Sequence, residues 1–569
     1  MSAARGRLWP ADLAAALAVL VLSWPMWTAR GYGLARDLVF TPERPWTLET
    51  LGLGVALPRA VPLDSFLVAF TSTVGGEVAF RACVAGVLFA AGLGASRALS
   101  TLLPQAPTVA RVSVAVLAVW NPMVVERLAM GQWALLAGYA ALWWLLPSWC
   151  RVWAGASRRT DWGVICAGSA LASLTPTGGC VVTLVALTGA FVHRRRASWL
   201  AFGVAALAQA PWVSASLLGG HALTSDALGL EAFSARGGSV AEIASLVAGG
   251  GIWNSVTVPG SHEGAYAVVG ALCCLGALIW SARWLWHEVP ALVLAAGLGV
   301  LLAVLPLLPG GDALLAYALE TIPGAGLLRD SQKWLIPYVV VLGLAWGRAC
   351  STVLTRLRDI EIAPILAGVA VTLPVLVLPD AASATWEVTR PVTFPPDLAQ
   401  AVERLDATPG DSGAVVTLPW ASYRRFDWGL DLSAPDPVAR WSAHPTVVSD
   451  ALATRGGEVA GEDPRTAEIG AALAGPAAGL GARLARLGVG WVLVYRDAEP
   501  GEDVDLAELE MIQEGESTQL WRVREAAVPP QDAPGGRVAM VALAHGIWAL
   551  LALLGLAAVV LRPRRASDL

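Results

Sequence analysis

The segment that decides the fold lies near the start of the chain, where residues 10–29 read PADLAAALAVLVLSWPMWTA. A helix of about 20 mostly apolar residues is long enough to cross the hydrocarbon core of a bilayer. The end of the segment contains Trp24, Pro25 and Trp27 and has no small-residue cleavage site. We therefore expect a retained membrane helix and not a cleaved signal peptide.

Similar apolar runs recur along most of the 569 residues, of which 56% are hydrophobic and only 15% are charged. A soluble protein carries roughly 25% charged residues. The composition therefore predicts a polytopic α-helical membrane protein with about twelve spans. We place these spans near 10–29, 79–97, 108–122, 132–150, 161–175, 178–193, 198–218, 264–282, 288–308, 335–350, 361–379 and 537–561.

The arginines predict the orientation of the chain, because cytoplasmic loops are enriched in basic residues. If Arg5 and Arg7 lie in the cytoplasm, the other arginine clusters fall on the same side after every second span. The long loops 30–78, 219–263 and 309–334 then face outside, together with the short turn 123–131. We expect a multi-pass protein of the plasma membrane with both termini in the cytoplasm.

Residues 380–536 differ in composition, since they are polar and rich in Asp, Pro and Gly. Ala414–Leu418 and Gly490–Tyr495 are typical of buried strands, and residues 467–487 between them have the period of a helix. Gln519–Val523 is a third predicted strand. We therefore divide the chain into a membrane core over 1–379, a small exoplasmic α/β domain over 380–536, and a final span with a basic tail over 537–569.

Several function classes find no support in the sequence. The net charge of −5 gives no case for nucleic-acid binding. The sequence contains no P-loop, no nucleophile elbow and no kinase signature. The seven cysteines lie in or at the ends of apolar segments and lack metal-ligand spacing, so we predict that they are small buried side chains that bind no metal, and a divalent metal held by other residues stays possible.

The predicted outer face gathers four polar segments. The first loop reads ARGYGLARDLVFTPERPW over residues 29–46, which places Asp37 beside Arg36 near the membrane surface. The turn after the third span carries Glu126 and Arg127, for which a salt-bridged hairpin turn is an equally good interpretation. A carboxylate at this depth can take a proton from a sugar hydroxyl, and arginine can hold a phosphate.

The third and fourth segments add aromatic, basic and imidazole groups. Residues 249–254 read GGGIWN, in which Trp253 could stack on a sugar or prenyl group, and His262 follows shortly after. A surface histidine that only forms hydrogen bonds is the plainer interpretation of His262. Arg329 and Lys333, the only lysine, are four residues apart and share a helical face at the start of a span. These two cations could bind a phosphate or simply anchor the helix at the interface.

The four segments together resemble the GT-C superfamily of polyprenyl-phosphate-dependent membrane glycosyltransferases, in particular actinobacterial arabinofuranosyltransferase-like proteins. The features that carry the resemblance are the first-loop acid, the Asn-Pro hairpin with Glu126 and Arg127, the Gly-Gly-Ile-Trp-Asn loop, and Arg329 to Lys333 before a late span. The resemblance implies that Asp37 is the general base. It implies four donor-phosphate contacts, namely Arg36, Arg127, Arg329 and Lys333. It leaves Glu126, Trp253, Asn254 and His262 as substrate-binding candidates.

The implied function is the exoplasmic transfer of a sugar, with arabinofuranose as one candidate, from a polyprenyl-phosphate donor to a cell-envelope glycan or glycolipid. The binding partners of the protein would thus be the polyprenyl-phosphate-linked sugar donor, the glycan or glycolipid acceptor and membrane lipid. Two departures leave alternatives open. Many relatives have paired acids in the first loop, whereas Asp37 has no acidic neighbour before Glu43, and some members need a divalent metal for which the sequence has no convincing ligand set. The alternatives are a non-catalytic envelope-assembly protein and a lipid or glycolipid transporter.

Overall fold

The computed structural model describes residues 9–54, 60–219, 228–357, 360–408, 413–454, 457–459, 461, 463–500, 504–525, 527 and 534–560. Helices dominate these ranges. They are α1 Trp9–Leu22, α2 Pro25–Thr28, α3 Leu63–Val74, α4 Gly76–Leu102, α5 Thr108–Val119, α6 Pro122–Ala129, α7 Trp133–Ala154, α8 Arg159–Ala172, α9 Pro176–His193, α10 Arg196–Leu207, α11 Ala210–Leu218, α12 Leu228–Phe233, α13 Val240–Val247, α14 Ala265–Glu288, α15 Pro290–Val304, α16 Gly311–Thr321, α17 Ile336–Arg356, α18 Ala363–Leu376, α19 Ala381–Thr389, α20 Pro396–Asp406, α21 Val438–Trp441, α22 Pro464–Leu473, α23 Leu480–Arg486 and α24 Gly535–Val560.

The strands are short and fall into three sheets. They are β1 Leu34–Ala35, β2 Leu38–Val39, β3 Ala414–Leu418, β4 Thr446–Val447, β5 Leu452–Thr454, β6 Gly457–Val459, β7 Val489–Tyr495, β8 Glu510–Glu514 and β9 Thr518–Arg522. Short 3-10 helices connect several elements, and those nearest the site are Ser255–Thr257, Gly260–Glu263, Ala325–Leu328 and Ser331–Leu335.

The described helices include seven that are long and apolar enough to cross a membrane, or nine if two bent pairs each count as one span. The bent pairs are α10 with α11 and α18 with α19. The count of twelve spans is therefore not confirmed. The difference comes from α1 and α8, which have only 14 residues each, and from α7, whose tryptophans lower the hydropathy of an otherwise sufficient helix.

The membrane core is one continuous apolar cluster around α4, α5, α7 and α17. Its centre is filled by large side chains on α7, and Trp143 and Trp149 are both fully buried. Small residues let the helices approach, because a Cβ atom at Gly94 would lie 2.8 Å from the Trp143 and Trp144 side chains. This tight packing gives the loops between the helices a rigid base.

A five-stranded sheet forms the second folding unit, in the order β4-β3-β7-β9-β8. β3 runs parallel to β4 and β7, whereas β9 runs antiparallel to β7 and β8. The first two predicted strands coincide with β3 and β7 and the third with β9. The predicted helix over 467–487 is instead α22 and α23, because Gly475, Pro476 and Gly479 interrupt it.

The first loop joins the sheet unit to the membrane core. Tyr32 and Val392 exchange two backbone hydrogen bonds of 2.9 and 2.8 Å, and the Tyr32 ring stacks on Phe394 with centroids 5.4 Å apart. Leu34 and Val39 belong to the apolar core on one side of the sheet. The loop that carries Asp37 is therefore held from both sides.

Candidate functional site at the first loop

Asp37 lies at the tip of a β-hairpin, because β1 and β2 pair antiparallel and only Arg36 and Asp37 connect them. Arg36 has φ +49°, the left-handed conformation that two-residue hairpin loops require. The Asp37 amide donates to the Met130 carbonyl oxygen over 3.0 Å. Gly131 permits this approach, since a Cβ atom there would lie 2.4 Å from the Leu38 nitrogen. The hairpin is thus docked on the turn that follows α6.

Two side chains hold the half-buried Asp37 carboxylate. The Gln132 amide donates to Oδ2 over 2.7 Å, and the Tyr423 hydroxyl donates to Oδ1 over 2.6 Å. The Arg36 guanidinium instead donates to the Ala129 carbonyl oxygen over 2.5 Å. Burial lowers the pKa of Arg36 below its usual value, while Glu387 and Asp37 oppose this shift. We call Arg36, Asp37, Gln132 and Tyr423 the outer cluster.

Arg127 lies behind the outer cluster and is fully buried. Its guanidinium forms a bidentate ion pair with the Asp330 carboxylate, and both N–O distances are 2.7 Å. It also donates to the Gln132 oxygen over 2.9 Å and from Nε to the Gln332 oxygen over 2.8 Å, with a further bond from Nη2 to Gln332. These contacts use all five N–H donors of the arginine. Arg127 therefore links Asp37, through Gln132, to the segment before α17.

Glu126 is also fully buried and faces the glycine-rich loop. Its carboxylate accepts hydrogen bonds from the backbone amides of Gly251 and Ile252 over 3.2 and 3.0 Å. Gly250 is essential to this contact, because a Cβ atom there would lie 2.5 Å from Oε1 of Glu126. The Gln332 amide lies 3.4 Å from the other carboxylate oxygen. We call Glu126, Arg127, Asp330 and Gln332 the inner cluster.

The two basic residues before α17 have different surroundings. The Lys333 ammonium lies 3.2 Å from Asp330 and is 23% exposed. Although burial opposes ionisation of Asp330, the charges of Arg127 and Lys333 hold its pKa well below the usual value. The Arg329 guanidinium lies over the Phe233 ring, 4.6 Å from its centroid. Lys333 thus contacts the inner cluster through Asp330, whereas Arg329 contacts the segment before the glycine-rich loop.

The remaining predicted residues surround the glycine-rich loop. The Trp253 ring packs edge-to-face on Phe233 with centroids 4.7 Å apart. The Asn254 amide lies 3.2 Å from the Met130 sulfur, next to the docked hairpin. His262 is buried, and its Nδ1 lies 3.0 Å from the Ser245 hydroxyl. His262 thus belongs, with Ser245, to a polar group behind the loop.

The described residues contain no group of three His, Cys, Asp or Glu side chains that could hold a metal ion. The acids nearest Asp37 along the network are already engaged, because Glu126 accepts two backbone amides and Asp330 pairs with two cations. The donor set around Asp37 therefore does not fit a divalent ion, and we derive no chemical step through one.

The structure adds four functional candidates that the sequence did not reveal. Gln132, Asp330 and Gln332 lie in or next to the predicted polar segments, but their residue types alone predict no role. Only the folded contacts show that Gln132 connects Asp37 to Arg127 and that Asp330 and Gln332 hold the Arg127 guanidinium. Tyr423 lies 386 residues from Asp37 in the chain. No local pattern can reveal such a contact, because it depends on how the sheet unit docks on the membrane core.

In fold, the helical core, its connecting loops and the attached sheet unit are similar to solved membrane glycosyltransferases. A solved structure of a mutant of the arabinofuranosyltransferase AftD from Mycobacteria is similar with a TM-score of 0.53 and 16% identity. The match covers 92% of this chain and 42% of AftD, so the chain spans less than half the length of that protein. The resemblance inferred from the sequence is confirmed at the level of the fold.

Archaeal oligosaccharyltransferase structures are also similar. The enzyme of Archaeoglobus fulgidus in its apo form has a TM-score of 0.39 and 11% identity, with 86% of this chain and 69% of that chain covered. The same enzyme in complex with an inhibitory peptide and a dolichol-phosphate has a TM-score of 0.36 and 12% identity, with the same coverage. No family model and no curated protein matches the sequence.

Proposed function

We propose that the protein transfers a sugar from a polyprenyl-phosphate donor to a hydroxyl group of a cell-envelope glycan or glycolipid, on the outer face of the membrane. The observation that carries this proposal is the outer cluster, in which two neutral donors orient the half-buried carboxylate of Asp37. A general base must be oriented and still reachable by the hydroxyl it deprotonates. Asp37 meets both requirements.

In the proposed step, the acceptor hydroxyl oxygen forms a bond to the anomeric carbon of the donor sugar. Its proton passes to the Asp37 carboxylate. The bond from the anomeric carbon to the phosphate oxygen breaks, and its electron pair leaves with the lipid phosphate. Positive charge must stabilise this leaving group. Lys333 and Arg329 are the best placed of the proposed contacts, since both are partly exposed, and Arg36 is a third.

Arg127 and Glu126 have different roles in this proposal from those the sequence suggested. All donors of the Arg127 guanidinium are used within the protein, and neither side chain is exposed. We propose that both residues position the loops and contact neither substrate. Their part in the reaction is therefore indirect.

Arabinofuranose is the donor sugar to test first, because the solved structure with the same fold is an arabinofuranosyltransferase. The full chain in membrane vesicles would receive polyprenyl-phosphate-linked arabinofuranose and an envelope glycan, and transfer of radiolabel would be followed. Asp37→Asn should slow transfer by about 10²–10⁴-fold, the usual contribution of a general base. It should leave expression intact and lower thermal stability only slightly, because asparagine keeps an oxygen that accepts from Tyr423 but loses the hydrogen bond from the Gln132 amide.

The matched control is Asp312→Asn, which neutralises an exposed acid on α16 and should transfer at the wild-type rate. Wild-type transfer by the Asp37→Asn variant would exclude Asp37 as the base. Binding of the donor without any turnover by the wild-type chain would instead support the non-catalytic alternative.

A further inference from the structure

Two short loops at the far end of α7 carry five exposed arginines, which we call the arginine patch. The loops lie between α7 and α8 and between α9 and α10. They contact each other, because the Arg195 guanidinium lies over Gly155 and a Cβ atom at Gly155 would collide with its Nη1. The patch consists of Arg158 and Arg159 from the first loop and of Arg194, Arg195 and Arg196 from the second.

The arginine patch and Asp37 lie at opposite ends of α7. The helix begins at Trp133, directly after Gln132 of the outer cluster, and it ends at Ala154, directly before the first loop of the patch. Its 22 residues extend about 33 Å at 1.5 Å per residue, which is close to the ~30 Å thickness of the hydrocarbon core. The patch is therefore at the membrane surface that the arginine pattern of the sequence predicts to be cytoplasmic.

Neighbouring carboxylates do not neutralise the arginine patch. Within the described part of the chain, none of its five guanidinium groups forms an ion pair. The nearest acid in the sequence, Asp161, is buried and pairs with Arg151 over 2.5 Å. Glu288, at the end of α14, lies 3.3 Å from the His287 ring. The patch therefore presents a concentrated positive charge at the surface.

The backbone adds to this positive charge. Both α8 and α10 begin with two arginines of the patch, one at the N-cap and one at the first helical position. The N-terminus of a helix carries a partial positive charge, which disfavours cations and favours anions. In α8 this charge is offset by Asp161 in the first turn, whereas α10 has no acid in its first turn and no side-chain cap. A bound anion would offset the charge at α10.

Arg194 occupies a backbone position that favours glycine. It follows the last residue of α9 with φ +52°, the left-handed conformation, and its amide donates to the Ala190 carbonyl oxygen over 2.9 Å. Glycine adopts this conformation at helix ends without steric cost, whereas a residue with a Cβ atom does not. The turn itself thus gains nothing from the arginine side chain, and the exposed guanidinium can contact a ligand.

The surface beside the patch is apolar and exposed. Phe191 near the end of α9 and Trp199 in the first turn of α10 pack edge-to-face, with ring centroids 5.1 Å apart. Both rings are exposed, as is Leu200 next to them. Tryptophan is enriched at the level of the lipid head groups. A ligand of the patch therefore meets guanidinium groups and apolar surface side by side.

We propose that the arginine patch binds an anionic phospholipid, with the lipid phosphate at the two loops and an acyl chain along Phe191, Trp199 and Leu200. Basic pockets between membrane helices bind anionic head groups in this way. The charge of the patch selects an anion, and the apolar surface beside it selects a lipid over a soluble anion. The site lies at the opposite end of α7 from the outer cluster and does not depend on the sugar transfer proposed above.

Native mass spectrometry of the full chain in detergent tests the proposal. Cardiolipin is the anionic probe and phosphatidylcholine is the zwitterionic one, and the lipid-bound fraction gives the affinity for the first lipid. An arginine near an anionic lipid contributes about fivefold in affinity. The triple variant Arg194→Gln, Arg195→Gln and Arg196→Gln should therefore bind cardiolipin about a hundredfold more weakly than the wild type, and its affinity for phosphatidylcholine should change little.

The matched control removes three arginines from other helices near the same membrane surface. Both α14 and α17 begin beside the loops of the candidate site, and toward their far ends they carry Arg283, Arg348 and Arg356. Replacing these three by glutamine removes the same charge and should leave the cardiolipin affinity unchanged. Equal weakening in the two triple variants would overturn the site, because binding would then depend only on the overall charge of this surface.

Arg194→Gly separates lipid binding from folding. Glycine suits the left-handed backbone at this position, so the thermal midpoint without lipid should be at least that of the wild type. The cardiolipin affinity should nevertheless fall about fivefold. An unchanged affinity in this variant would exclude Arg194 from the site. Displacement of cardiolipin from the wild type by millimolar inorganic phosphate would assign the patch to a soluble anion and overturn the lipid.

Discussion

The inner and outer clusters are joined through Gln132, yet they differ in solvent access. Glu126, Arg127 and Gln332 of the inner cluster are fully buried, whereas every member of the outer cluster is partly exposed. Both contain an arginine and a carboxylate, so their residue types alone do not separate them. Solvent access distinguishes the two clusters, because a side chain that reacts with a substrate must be accessible to it, whereas a structural ion pair can be buried.

The partners of each carboxylate lead to the same distinction. The Glu126 carboxylate accepts two backbone amides from the glycine-rich loop, and this arrangement fixes the loop against α6. Asp37 accepts from two side chains, Gln132 and Tyr423, that come from different folding units. We infer that the inner cluster holds the loops in place and the outer cluster carries out the chemistry. Substitutions in the two clusters should therefore separate stability from activity.

The largest effect on stability is expected when the central cation of the inner cluster is removed. Arg127→Met leaves the Asp330 carboxylate buried with only Lys333 as a partner, and breaking a buried pair costs about 3–5 kcal/mol. We expect a clear loss of thermal stability, measured on the purified chain in detergent. The double variant Arg127→Met with Asp330→Leu should regain much of the loss. If it is no more stable than the single variant, the ion pair is not the source of the effect.

A smaller loss is expected at the contact between the glycine-rich loop and Glu126. In Gly250→Ala the added methyl group would meet the Glu126 carboxylate at 2.5 Å and Pro122 at 2.8 Å. Overpacking of this kind costs about 1–3 kcal/mol. The thermal midpoint should fall, and transfer at a temperature below it should change little. Gly264→Ala is the control, since nothing lies within 4 Å of its added atom. Equal midpoints for the two variants would contradict the assigned close approach.

The pH dependence of stability tests the group behind the loop. Burial lowers the pKa of His262 to about 4, from an ordinary value of 6.5. As the pH falls, His262 is protonated at a higher pH in the unfolded chain than in the folded chain. The contribution of neutral His262 to stability is therefore fully present above about pH 6.5 and is lost as the pH falls toward 4. At pH 5 the loss is about 2 kcal/mol, at 1.36 kcal/mol per pH unit. The charged residues near His262 are not substituted in this test, namely Asp380, Glu263 and Arg236.

Thermal unfolding between pH 7 and pH 5 measures this effect. His262→Gln should flatten the dependence, whereas His287→Gln, at an exposed histidine, should retain it. A wild-type slope in the His262→Gln variant would show that other groups cause the dependence.

The same distinction explains which features of the molecule the sequence could predict. Apolar runs predicted the positions of the membrane helices and of β3, β7 and β9, because hydrophobic periodicity is a local property. The predicted count of twelve spans is not confirmed, because α1 and α8 are short and α7 is less apolar than the other long helices. The roles of single polar residues depend on distant partners. The Arg127 contact with Asp330 and the Tyr423 contact with Asp37 join residues about two hundred and four hundred positions apart.

The smallest expected effect concerns the link between the sheet unit and the loop that carries Asp37. Tyr423→Phe removes the hydroxyl that donates to Asp37 over 2.6 Å but keeps the ring. One hydrogen bond to a half-exposed group is worth about 1 kcal/mol, so we expect kcat to fall about fivefold while KM and thermal stability stay close to the wild type. Tyr317→Phe, on the exposed side of α16, is the control and should have no effect. An unchanged kcat in the Tyr423→Phe variant would mean that Gln132 alone orients the Asp37 carboxylate, and that the sheet unit supports the hairpin through its other contacts, among them the backbone hydrogen bonds of Tyr32 and Arg36.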